Sequence, residues 1–104
     1  MQNPDSERIF DVAVSCVPER GWVVVQTDAV VELEHPIVEL RVVSTGDQRV
    51  ASTLVMDAPA SFRVTLHLPG VDVGTSLRLQ IQLISVEDTT VQLVGEYPFV
   101  FEPA

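Results

Sequence analysis

Leu77-Arg78-Leu79-Gln80-Ile81-Gln82-Leu83 alternates apolar and polar residues without a break. Period-two alternation is the pattern of a strand with one face in a core and the other in water. Leu77, Leu79, Ile81 and Leu83 share one face; Arg78, Gln80 and Gln82 share the other. A strand of this kind needs further strands to cover its apolar row. Most of the chain supplies them, because valine is abundant and β-branched side chains favour the pleated surface.

In chain order, residues 1–7 read as a flexible polar leader and residues 8–104 as one domain. Phe10, Val12, Val14 and Cys16 form an apolar parity, and Pro18-Glu19-Arg20-Gly21 is a turn. Trp22 to Gln26 is extended and apolar on both parities. Thr27-Asp28 is a candidate turn, and Ala29 to Glu34 is a further extended piece. His35-Pro36 breaks the pattern, with His35 expected in extended geometry because proline follows it. Val38, Leu40 and Val42 then face inward. Residues 49–56, with Ala51, Ser52 and Thr53, suit an edge strand. Phe62, Val64, Leu66 and Leu68 give another inward row. The adjacent pair Leu83 and Ile84 suggests a bulge or a strong twist near Ile84, before a Glu87-Asp88 turn that makes a hairpin with the last strand. In that strand Val91, Leu93, Tyr97, Phe99 and Phe101 share a parity, while Gly95 and Pro98 point to a bulge or an edge.

Seven to eight strands with turn signals between them, and no helical periodicity, specify an all-β antiparallel sandwich of immunoglobulin or fibronectin type. A small β-barrel is the alternative. The similarity to antibody domains is architectural: Cys16 stands alone, Trp22 follows a turn, and Tyr97 lies on the last strand.

Fifteen acidic residues against six arginines and no lysine give a formal charge of −9. That charge opposes binding to nucleic acid, which depends on basic groups neutralising phosphates, and to anionic membranes. It favours a basic partner. One cysteine excludes an intrachain disulfide, and no apolar run reaches the ~20 residues of a membrane helix. With no signal-peptide pattern at the N-terminus, the expected setting is the cytoplasm.

The residues offer little to catalysis. His35 and His67 lie in no nucleophile–base motif, and Cys16 is expected to face the core. Zinc ligands at close spacing and a phosphate-binding loop are lacking, so no cofactor is expected. In a seven-stranded sandwich the loops near residues 27–36, 57–61 and 87–89 meet at one pole. They carry Asp28, Glu32, Glu34, Asp57, Glu87 and Asp88, which read as an ordinary solvated acidic surface, a docking surface for a basic partner or a candidate cation site. The valine-rich stretch has more apolar surface than a two-layer sandwich can bury. Trp22, Val23, Val25, Val30 and Val31 are therefore candidate contact residues. The expected role is a non-catalytic interaction or assembly module that binds another protein or a second copy of itself, through this surface or an edge strand.

Overall fold

The alternating segments pair into two antiparallel sheets, as described by a computed structural model covering residues 9–85, 87, 88 and 90–103. The expected leader lies outside the described residues. The strands are β1 (Phe10–Val17), β2 (Trp22–Ala29), β3 (Ile37–Ser44), β4 (Arg49–Val55), β5 (Ser61–His67), β6 (Ser76–Ile84) and β7 (Val91–Val100). One sheet runs β1-β2-β5 and the other β4-β3-β6-β7. This is an antiparallel sandwich of immunoglobulin/fibronectin type. Its fourth strand pairs with the third, so it lies in the sheet that holds the last two strands.

The opening strand, β6, lies inside the four-stranded sheet, between β3 and β7. Its inward row Leu77, Leu79 and Ile81 is buried against Val38, Leu40 and Val42 of β3 and against Val23, Val25 and Leu66 of the facing sheet. Full burial of an aliphatic side chain stabilises by roughly 1.5–3 kcal/mol, so these rows are the main source of fold stability. Arg49–Val55 takes the expected edge position as β4, and β6 and β7 form the expected hairpin.

Several local expectations are corrected. Thr27-Asp28 is not a turn: β2 continues through both to Ala29, and Thr27 is fully buried. Ala29 to Glu34 is not a separate strand. Ala29 ends β2, and residues 30–36 cross to the other sheet. His35 is not extended; its φ is +49°, and a hydrogen bond from its ring accompanies that conformation. No bulge occurs at Ile84, which pairs regularly with Ile37 and Val91. The bulge lies in β7 instead. Ile81 pairs with Gly95 and Gln82 with Leu93, leaving Val94 as the extra residue.

That one residue changes which face the strand presents. A register shift of one moves every following side chain to the opposite face. Tyr97 and Phe99 pack on the core, but Val91 and Leu93, expected on the same side, are exposed beyond the bulge. Gly95 sits beneath Tyr97: a Cβ at this position would lie 2.7 Å from Tyr97 Cε1. The Tyr97 hydroxyl reaches across the sandwich to donate to Phe10 O at 3.5 Å.

Candidate functional site

The valine-rich stretch resolves by parity. Val23 and Val25 are fully buried, which removes them as contact residues. Two-sided apolarity arises because their neighbours Trp22 and Val24 occupy the outer face of the three-stranded sheet. Trp22 pairs in register with His67, and their rings stack with centroids 5.8 Å apart. The Arg20 guanidinium lies 5.1 Å from the Trp22 ring centroid. The indole is therefore half-covered by its own neighbours. Val30 and Val31 are exposed, in the crossing loop.

The three acidic loops do meet at one pole. Ala58 N donates to Pro36 O at 3.0 Å, and His35 Nδ1 lies 3.0 Å from Asp57 Oδ1. His35 and Asp57 both hold positive φ, a conformation that costs a non-glycine residue energy. Glu34 and Glu87 both line an open groove of about 480 Å³ at this pole. Asp28, however, is held on the outer face of the three-stranded sheet by the Ser61 hydroxyl and the Gln26 amide. Glu32 is exposed and lines a smaller neighbouring cavity. Asp88 accepts from Thr90 N at 3.2 Å and from Thr90 Oγ1 at 2.8 Å. Hydrogen bonds from the Thr90 and Ser85 side chains hold its carboxyl below the usual aspartate range. Among the described residues, no group of three or more His, Cys, Asp and Glu side chains is placed to hold a metal ion.

Cys16 faces the core side of β1, and its thiol lies 3.7 Å from Val100 O. Burial pushes the thiol pKa up, so the sulfur stays protonated and weakly nucleophilic at neutral pH. His67 stacks on Trp22 on the outer face of the three-stranded sheet, whereas Cys16, one row away in register, faces the core side.

A different surface emerges at the acidic pole, on the outer face of the four-stranded sheet. Ile37 pairs with Ile84, and Ile84 with Val91. Met56, one residue beyond β4, extends this row past Ile37, because Val38 pairs with Val55. The next row runs Leu54, Glu39, Gln82, Leu93. Leu54, Met56, Val91 and Leu93 are each half or more exposed. All four strands thus end, on the same side and at the same pole, in apolar side chains. Cross-strand neighbours on one face approach within about 5 Å, so the rows form a continuous surface.

The middle of that face is polar, with Val43, Pro98 and Val100 toward its far end, and Arg41 Nε is buried there with no hydrogen-bond partner among the described residues. Arg41 donates to Glu39 Oε1 at 3.1 Å and to Gln82 Oε1 at 3.4 Å. Arg78 bridges Asp47 and Glu96, with Nη1 at 2.9 Å from Glu96 Oε2. Gln80 donates to the same Glu96 oxygen at 3.0 Å. This network enters the second row through Glu39 and Gln82, so the apolar surface there is carried by the outer strands at Leu54 and Leu93. The sequence signals of the apolar rows are the adjacent apolar pairs Ile37-Val38, Leu54-Val55 and Leu83-Ile84, each of which must send one side chain outward. The bulge at Val94 adds Val91 and Leu93 to the same surface.

No protein-family model matches the chain. No curated protein matches it. Among solved structures, it is similar to CopC from Methylosinus trichosporium OB3b, at 19% identity and a TM-score of 0.48, over 88% of this chain and 81% of that one. It is also similar to part of the Ruminococcus gnavus beta-glucuronidase solved with uronic isofagomine, at 16% identity and a TM-score of 0.46. That likeness covers 90% of this chain and 14% of the glucuronidase. Neither likeness assigns an activity to this chain. No helix among the described residues is long and apolar enough to cross a membrane.

Proposed function

We propose that the protein is a non-catalytic interaction module, and that its contact surface is the apolar end of the outer face of the four-stranded sheet. The observation that carries this reading is the row of Met56, Ile37, Ile84 and Val91 beside Leu54 and Leu93. Apolar residues scattered singly on a surface need no explanation, but contiguous patches mark contact sites. Aligned ends on four strands are contiguous by construction. The surface is built on paired strands, so it is rigid and needs little ordering when it docks. This replaces the valine-rich stretch as the apolar contact surface and keeps the expected role.

A Leu54→Ser/Leu93→Ser double variant tests it. Exposed substitutions of this kind change stability by about 0.5 kcal/mol or less, so the variant should melt close to the parent. It should lose whatever protein co-purifies with the parent from the cells that make it. Val24→Ser, on the outer face of the other sheet, should keep that protein. Equal retention by the double variant and the parent would rule this surface out.

A further inference from the structure

From this contact surface, we infer that its partner is a basic polypeptide segment that presents apolar side chains, and not a second copy of this chain. The inference rests on the reading above and adds the partner's chemistry. Its basis is the charge around the patch. Glu34 and Glu87 line the groove that Ile84 also borders. Asp57 follows Met56 directly and is largely exposed. Asp88 lies in the turn between Ile84 and Val91, with its carboxyl held in the charged form by Thr90 and Ser85. Glu39 stands inside the second row, between Leu54 and Gln82.

Among the described residues, positive charge on this face is placed elsewhere or already used. Arg41 is paired with Glu39, and Arg78 with Asp47 and Glu96. Arg49 begins β4, at the end of the strand away from Leu54 and Met56. The apolar rows are therefore bordered by carboxylates with one histidine, His35, among them, itself against Asp57.

This arrangement decides between the two occupants. A two-fold dimer through the patch is isologous, so each acidic border would meet its own copy. Each chain carries a formal charge of −9, which adds repulsion at every separation. A segment with lysine or arginine flanking apolar residues meets both features at once. Its apolar side chains cover Leu54, Ile84 and Leu93, and its cations face Glu34, Asp57, Glu87 and Asp88. Such complementarity sets the encounter rate and selects against acidic partners.

The experiment uses the full chain, labelled with nitrogen-15, and three synthetic twelve-residue peptides. One alternates lysine with valine, one lysine with serine, and one serine with valine. Amide shifts are followed during each titration, together with the sedimenting mass of the protein alone. The expected result is a monomer that binds the lysine–valine peptide, with shifts centred on Leu54, Ile84 and Leu93. The other two peptides should bind at least tenfold more weakly. Raising salt from about 0.05 to about 0.5 M shortens the Debye length from roughly 14 to roughly 4 Å, and should weaken the lysine–valine complex about tenfold. Equal, salt-insensitive binding of the serine–valine peptide at the patch would overturn the basic partner and leave the apolar contact standing. Equal binding of the lysine–serine peptide, or shifts away from the patch with every peptide, would overturn the contact surface itself. A dimer abolished by Leu93→Ser would show that the occupant is a second copy.

Discussion

Replacing Thr27 with valine should stabilise the protein. Thr27 lies on the inner face of β2, opposite Val12 of β1 and Phe62 of β5, and is 0% exposed. Its Oγ1 is buried with no hydrogen-bond partner among the described residues. A buried hydroxyl left unpaired costs about 1–3 kcal/mol. Thr27→Val keeps the branched shape, removes that cost and adds a buried methyl. Taking the lower part of the range, because a slightly larger group enters a packed layer, the gain is about 1–2 kcal/mol. For a domain of this size, 1 kcal/mol moves Tm by roughly 4–8 °C, so a rise of about 4–16 °C is expected. Thermal and urea unfolding followed by circular dichroism measure it, with an unchanged m-value showing that the unfolded state is not the cause. Thr27→Ser keeps the hydroxyl, loses the methyl and should destabilise. An unchanged or lower midpoint for Thr27→Val at constant m would refute the argument, because it would mean that the hydroxyl is satisfied in the native state.

Gly95→Ala should destabilise by about 1–3 kcal/mol, since the new methyl meets the Tyr97 ring at 2.7 Å and must displace it from the core; near-ultraviolet circular dichroism of the tyrosine should change with it, and an unperturbed spectrum would count against the close packing. For Asp88 the folded pKa is lowered, chiefly by the Thr90 hydroxyl and then by Ser85. Its stabilising contribution is therefore present above the unfolded aspartate pKa and lost as pH falls through the lower folded value. A carboxyl titration by nuclear magnetic resonance should place Asp88 below an ordinary aspartate, and Asp88→Asn should flatten that part of the acid-stability profile. A midpoint at or above the ordinary value would contradict the turn geometry.

The fold was largely legible because burial imposes parity. The alternation in residues 77–83, the inward row Val38, Leu40, Val42, and the parity of Phe10 to Cys16 all reappear in register across the two sheets. The contact surface was legible only in fragments. Sequence shows that Leu83-Ile84 must expose one apolar side chain, but not that Ile37 and Val91 stand beside it. That adjacency comes from pairing between distant segments. The bulge at Val94 hid the rest: a two-residue period carried through from Tyr97 puts Val91 and Leu93 inside, whereas the inserted residue puts them outside. At Val23 and Val25 the error ran the other way. An apolar run looked like surplus surface, although its odd members fill the core and Trp22 is shielded by Arg20 and His67. Thr27 misled for a simpler reason, since threonine beside aspartate resembles turn chemistry, and only the pairing with Phe62 shows a strand.

On the proposed reading, a partner meets the sandwich on the outer face of the four-stranded sheet. Site-specific photo-crosslinking in the cells that make the protein addresses it directly, with the photoreactive side chain placed at Leu93 on the proposed surface or at Val24 on the outer face of the other sheet. Both positions lie on paired strands, so they differ in the face they report. A protein adduct of defined mass is expected from position 93 and none from position 24. An adduct from position 24 with none from position 93 would contradict that reading.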